Sequence, residues 1–144
     1  MTWPLEYQRA SYDFERFMVA ARDAAGLTTT NQAWTMVQGV LLALRRRLTV
    51  PQAIAFANIL PPLVRAVFLD NWYPTDEPAP FSPREELIEE VRSLRAEHNF
   101  SPDNAIEAVA TALRGSVDAL ALERVLAKLP PQASLFLGAR GDGE

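Results

Sequence analysis

The spacing of apolar residues along the chain is that of amphipathic helices. In the clearest stretch Trp34, Val37, Leu41, Leu44 and Leu48 follow one another at intervals of three or four, which places them on one helical face. The same spacing returns in the second half of the chain. No segment of useful length alternates apolar and polar residues as a half-buried strand does. The pattern therefore predicts an all-α fold.

Start and stop signals divide the chain into about eight helices. The first is predicted over 5–25, with Gly26 as its stop. Three later starts show the capping-box spacing, in which a Ser or Thr is followed three residues on by Gln or Glu. These pairs are Thr29 with Gln32, Thr49 with Gln52, and Ser82 with Glu85. Leu-Pro-Pro occurs at 60–62 and 129–131, where each proline pair predicts the start of a helix.

A shift of 69 positions aligns the two halves without a gap. Leu60-Pro61-Pro62 falls on Leu129-Pro130-Pro131, and Leu44-Arg45 falls on Leu113-Arg114. The chain therefore reads as two tandem, pseudo-symmetric four-helix units. We expect the units to pack on each other, because each is near the size at which a lone core is marginal. The predicted divisions are a first repeat at 1–69, a proline-rich acidic linker at 70–81, a second repeat at 82–137 and a disordered tail at 138–144.

Composition and charge narrow the class of protein. The chain of 144 residues is 49% apolar and 22% charged, as an ordinary globular domain is. The start of the chain has no features of a signal peptide, and no stretch predicts a membrane span. We therefore expect a cytoplasmic protein, and the absence of cysteine fits a reducing compartment.

The charge is distributed unevenly between the halves. Residues 1–72 hold seven Arg against five Asp and Glu, a net +2, whereas residues 73–144 hold seven Arg and Lys against thirteen acids, a net −6. The overall charge of −4 argues against general nucleic-acid binding. The uneven distribution can arise by chance or can steer a partner, and it would permit head-to-tail self-association.

The sequence offers no recognisable catalytic or metal constellation. Cysteine chemistry is excluded, and His98 is the only histidine, so a zinc site lacks its usual ligands. The carboxylates of Glu85, Glu86, Glu89 and Glu90 could hold a hard cation, but they also fit a solvated helix face near a positive helix N-terminus. We therefore predict no cofactor, no metal and no catalytic residue.

The most distinctive candidate residues for binding lie around the predicted linker. Trp72 and Tyr73 stand beside Asp70 and follow Arg65 in the chain. They could form an exposed anchor or the lip of a pocket for a partner. Alternatively, Trp72 folds back over the seam between the halves and fastens the linker. The triplet Arg45-Arg46-Arg47 could contact phosphates, but adjacent helical residues point in different directions, so a charge cluster at a helix C-terminus explains it as well.

Three stretches of the sequence carry a resemblance to a known family. They are ALRRRLT at 43–49, NILPPLVRAVFLDNWYP at 58–74, and a second copy that ends in KLPPQASLF. Together they resemble the domain-of-unknown-function family 2267 over about 12–137. The resemblance implies a duplicated all-helical bacterial protein with no established activity. It also implies an accessory role with a link to stress physiology.

The sequence is consistent with two candidate functions. The first is a non-enzymatic module that binds another protein, or another copy of itself, through a groove between the halves or through the linker surface. The alternative is a small-molecule sensor or unrecognised enzyme with a pocket at the seam. In that case Arg65 and Asp70 would supply its polar groups and Trp72 its wall.

Overall fold

The structure, a computed structural model, describes residues 2–74 and 77–138, and this part of the chain is entirely helical. It contains nine α-helices and one 3₁₀ turn at Ala96–His98, and no strand. The helices are α1 (Leu5–Gln8), α2 (Ala10–Ala25), α3 (Thr30–Arg45), α4 (Val50–Ala57), α5 (Pro62–Leu69), α6 (Arg84–Ser93), α7 (Ala105–Arg114), α8 (Ala119–Leu126) and α9 (Pro131–Phe136). None of these helices is long and apolar enough to span a membrane. Of the predicted tail at 138–144, residues 139–144 lie outside the described residues.

Local signals in the sequence account for most helix ends. Thr29 and Thr49 form the two capping boxes that their spacing predicts, and Gly26 ends α2 in the left-handed conformation. The third predicted box is wrong, because α6 starts after Pro83 and Ser82 makes no capping hydrogen bond. The single helix predicted over 5–25 is interrupted at Arg9, which is why the helix count exceeds eight.

The core forms where α2 packs on α7 and α3 packs on α6, so helices from both halves of the chain share one apolar interior. α2 also contacts α3 and α5, and α4 contacts α8. The largest fully buried side chains include Phe17, Met36, Phe56, Phe68 and Val109. This shared interior fits the expectation that neither half could bury a sufficient core alone.

The short helices α4, α5 and α9 expose large apolar side chains. Ile54, Leu63 and Leu135 retain 47%, 37% and 64% of their accessible surface. All three lie in helices of eight residues or fewer, where two turns give the periodicity little length in which to define a face.

The helices α3 and α6 approach each other most closely at Gly39. A Cβ atom on this glycine would lie 2.7 Å from the carbonyl oxygen of Val91 and 3.0 Å from its Cγ1. Gly39 and Val91 are both buried, so neither backbone can move into solvent to relieve the contact. The packing of α6 on α3 therefore depends on the missing side chain at position 39.

Gly39→Ala tests this contact. Although alanine favours helices, we expect the variant to lose about 1–3 kcal/mol in the free energy of unfolding, because the added methyl overpacks a buried backbone contact. The control is Gly115→Ala, where the new Cβ atom meets nothing closer than 3.6 Å. The Gly115→Ala control should gain about 0.4–1 kcal/mol in the free energy of unfolding. Urea denaturation measures both, and equal stability of the two variants would contradict the close approach.

Candidate functional site

Two arginines of the triplet are buried and hold the segment between the two halves. Arg45 donates from Nη1 to the carbonyl oxygens of Phe68, at 2.8 Å, and Asp70, at 2.9 Å. Its guanidinium also lies over the ring of Trp72, 5.3 Å from the centroid. Burial lowers the pKa of Arg45 from its ordinary value, and the Asp70 carboxylate opposes that shift. Arg45 therefore anchors the end of α5 and the start of the linker.

Arg47 anchors the other end of the same segment. It donates from Nε to the carbonyl oxygen of Pro80 at 3.1 Å, and from Nη1 to that of Ala43 at 2.8 Å. Its two terminal nitrogens meet the two carboxylate oxygens of Glu90 in α6, at 2.9 and 2.8 Å. This bidentate pair has the geometry of the strong arginine–carboxylate interactions. The triplet is thus mainly an internal clamp, and this role was not predicted.

Of the four predicted binding residues, Trp72 and Tyr73 line a common cleft, and Arg65 and Asp70 do not line it. Arg65 donates to the carbonyl oxygens of Ala57 at 3.0 Å and Leu60 at 2.9 Å, so it satisfies carbonyls at the C-terminal end of α4. Asp70 is exposed, and its carboxylate accepts a hydrogen bond from Asn71. Arg65 and Asp70 therefore do not converge on a common pocket.

The two aromatic residues of the linker differ in exposure. Trp72 is half-buried against Arg45 and the core, as the alternative of a fastened linker expects. Tyr73 is 80% exposed. Both line a cleft of about 410 Å³ beside the end of α3, together with Arg46 and Thr49. Its wall is about equally polar and apolar, and the linker and the residues at the end of α3 form it together.

A more apolar groove lies elsewhere, between α6, α7 and α9. Its volume is about 540 Å³, within the roughly 300–1,000 Å³ of known ligand sites. The apolar side chains that line it are Phe81, Leu87, Ile106, Ala110, Leu135 and Phe136. The rings of Phe81 and Phe136 meet edge to face at 6.4 Å between centroids. We call this feature the α6–α7–α9 groove.

The rim of the α6–α7–α9 groove is charged. Arg84 from α6 pairs with Glu107 of α7 and also donates to the carbonyl oxygen of Asp103 at 2.9 Å. Arg114 at the end of α7 donates to the carbonyl oxygen of Leu137. The rim thus has two cations and one carboxylate around an apolar floor. A surface of this kind suits an apolar ligand segment that carries a negative charge.

The groove is open because α6 packs on α3 and its backbone stays largely apart from those of α7 and α9. The helix is also short. Leu94 is extended and Arg95 is left-handed, so the chain leaves the helix after Ser93. Asn99 stabilises this end by donating to the carbonyl oxygens of Val91 and Leu94, each at 2.8 Å.

This groove was not predicted from the sequence, which pointed to a groove between the halves or to the linker surface. One signal was available. The shift of 69 positions places Pro83 on Phe14, well inside the helix predicted over 5–25, so the helix of the second half starts later and covers less of its neighbours. His98 is exposed in the 3₁₀ turn, away from the groove lining. Within 2–74 and 77–138, no group of three or more His, Asp or Glu is placed to hold a metal ion.

Comparison with known protein families shows which family the chain belongs to. A family described as "Uncharacterized conserved protein (DUF2267)" matches residues 14–136, which is most of the chain. The chain belongs to this family. The resemblance found in the sequence is thereby confirmed. No protein with a curated description matches the chain. Membership in DUF2267 supplies no activity, so the function has to be inferred from the geometry of the fold.

The two neighbouring arginines that reach Glu90 provide a matched pair of variants. The side chain of Arg47 is 4% exposed and that of Arg46 is 61% exposed. We expect Arg47→Met to cost about 3 kcal/mol in the free energy of unfolding, because it leaves a carboxylate poorly compensated and two carbonyl oxygens without their donor. Arg46→Met should cost less than about 1 kcal/mol. Thermal and urea unfolding measure both, and similar losses would contradict the clamp.

Proposed function

We propose that the protein is a non-enzymatic helical interaction module that binds a partner protein through the α6–α7–α9 groove. The partner would present an amphipathic segment, with its apolar side chains in the groove and a carboxylate near Arg84 and Arg114. The observation that carries the proposal is an open apolar groove with an excess of positive charge on its rim. An accessory role in bacteria, linked to stress physiology, is part of the proposal and comes from the family resemblance alone. The cytoplasmic location is also part of the proposal and comes from the composition of the sequence.

The exposure of Leu135 supports binding at this place. Its side chain stands at the mouth of the groove with 64% of its surface in water. Full burial of a leucine contributes about 1.5–3 kcal/mol, which is a tenfold or greater gain in affinity. Phe81 and Phe136 form the aromatic floor beneath it, and aromatic anchors are enriched where protein partners bind most tightly.

The chemistry of the groove favours binding over catalysis. The single carboxylate in its lining, Glu107, is neutralised by Arg84. Arg114 is engaged by a backbone carbonyl. A general base has to reach its substrate with its proton-accepting atoms available, and the pairing of Glu107 with Arg84 works against that role.

The small-molecule alternative has less support. The cleft at the seam between α2 and α7 has a volume of about 260 Å³, which is below the usual size of ligand sites. Its wall is mainly polar, and Arg65, Asp70 and Trp72 are not among the residues that line it. The linker cleft holds Trp72 and Tyr73, but its position beside the clamp of Arg45 supports a structural role for Trp72.

We further propose that the two halves are tandem pseudo-symmetric units, with the second repeat carrying the function. Two observations support this. The bounds of α4 and α8 differ by 69 positions, the offset found in the sequence. The hydrogen bond from Arg45 to Phe68 also has a counterpart, from Arg114 to Leu137, at the same offset. The groove forms in the second unit, where the short α6 stands in place of the longer α2.

Leu135→Asp tests the proposed site, with Phe100→Asp as its control. Both residues are exposed, so neither variant should change the helical content, which circular dichroism can verify. We expect affinity capture from native extract, read by mass spectrometry, to recover one stoichiometric partner with the wild type and with Phe100→Asp. Leu135→Asp should bind it at least roughly tenfold more weakly, because a buried charge replaces an apolar contact.

The outcomes of this capture experiment are distinct. Retention of the partner by Leu135→Asp would place the binding surface elsewhere and overturn the assignment of the groove. Loss of the partner in both variants would show that the effect is not specific to the groove. If the wild type captures no other protein and also does not self-associate, the interaction function itself is contradicted.

A further inference from the structure

We propose that the segment that occupies the α6–α7–α9 groove is residues 2–8 of a second copy of the chain. This inference rests on the proposed function, because it names the partner of the same groove. It would make the protein self-associating, with the N-terminal segment of one copy bound to the second half of another. The argument uses the exposure of the segment, its charge and its position.

The N-terminal segment exposes large apolar side chains that find no place in their own chain. Trp3, Leu5 and Tyr7 are 66%, 62% and 47% exposed, and α1 has no buried residue. Single exposed apolar residues are normal, but three within five positions are a concentrated apolar surface. Trp3 and Leu5 flank Pro4, and Leu5 and Tyr7 belong to the one-turn helix α1. The segment thus has the apolar side chains that the groove would accept.

The charges of the segment and the groove rim are complementary. Glu6 is the single charged residue in 2–8, which gives the segment a net charge of −1. The rim has Arg84 and Arg114 against Glu107, a net +1. Glu6 is itself exposed, and its nearest cation is Arg65, at 3.9 Å, a distance that indicates a weak contact. The Glu6 carboxylate is therefore available to the rim of a neighbouring copy.

The position of the segment points to another copy as the source. In its own chain Glu6 lies beside Arg65 of α5, and residues 2–8 contribute nothing to the groove lining. If two copies exchange their segments reciprocally, both grooves are filled and a closed dimer results. If the exchange is not reciprocal, each copy keeps one free segment and one free groove, and association continues into longer chains. The closed dimer and the longer chains contain the same contact, between residues 2–8 of one copy and the groove of another.

Two complementary variants test the contact in the full-length chain. Trp3→Ser combined with Leu5→Ser removes the apolar segment and leaves the groove intact. Leu135→Asp disables the groove and leaves the segment intact. We expect the wild type to associate as protein concentration rises, in sedimentation velocity or light scattering. Each variant alone should associate at least roughly tenfold more weakly. An equimolar mixture of the two should form a 1:1 heterodimer, because one intact segment meets one intact groove.

Leu120→Ser serves as the control, since Leu120 is 52% exposed but belongs to α8, outside the groove. It should associate as the wild type does. Glu6→Arg should also weaken association, by a factor that falls as salt is added, because it places like charges together. All variants are compared by circular dichroism, so that loss of folding is not mistaken for loss of contact.

Two results would overturn the inference. One is a wild type that stays monomeric at every concentration in both low and high salt. The other is association of the wild type without complementation in the mixture, which would indicate a contact between two like surfaces. Neither result would remove the proposed function, because capture of a different protein through Leu135 is measured separately. Conversely, complementation by the mixture identifies the partner even if no other protein is captured.

Discussion

The packing of α6 on α3 is the constraint on which the rest of the architecture depends. It requires two features eight positions apart, one within α3 and the other just after its C-terminal end. Gly39 lets the Val91 backbone approach, and Arg47 holds the Glu90 carboxylate. Both contacts draw α6 toward the first half of the chain. With its buried face on α3, α6 does not close over α7 and α9. The α6–α7–α9 groove is the space that remains between these helices when α6 packs on α3.

The buried arginines show how a charged group can be used inside a small helical protein. Arg45 and Arg47 are both nearly inaccessible to solvent, and each is compensated by backbone carbonyls, a carboxylate or an aromatic ring. Such buried charges contribute little net stability but are strongly destabilising when one partner is lost. Their effect here is geometric. They fix both ends of the segment between Asp70 and Pro80 against the end of α3, and so define where α6 begins.

Much of the helical framework could be predicted from the sequence, because caps and proline pairs act locally. Thr29, Thr49 and Gly26 define helix ends through neighbours within four residues. The burial of Arg45 and Arg47 could not be predicted in this way. It depends on carbonyls and a carboxylate that lie 23 to 43 positions away in the chain. The helical period indicates which residues share a face, but it does not indicate which helix covers that face.

The same limit applies to the candidate site. Trp72 and Tyr73 were predicted as binding residues because aromatic residues are unusual in a linker. The structure uses Trp72 to fasten that linker, and Tyr73 remains exposed. The groove instead arises from a difference between the halves, in the length and placement of α6 relative to α2. That difference is a property of tertiary packing, and a pattern within a single helix does not contain it.

The central claim is that α6 is held mainly by its packing on α3 and by Arg47, and that this placement keeps the groove open. Amide hydrogen exchange in a Glu90→Gln chain, read by mass spectrometry, tests it most directly. The substitution removes the charge that Arg47 compensates, and exchange reports local unfolding segment by segment. The account predicts that residues 84–93 lose protection while α2, α3 and α7 keep theirs. Loss of protection in α7 together with α6 would show that the two helices unfold as one unit, and would contradict the account.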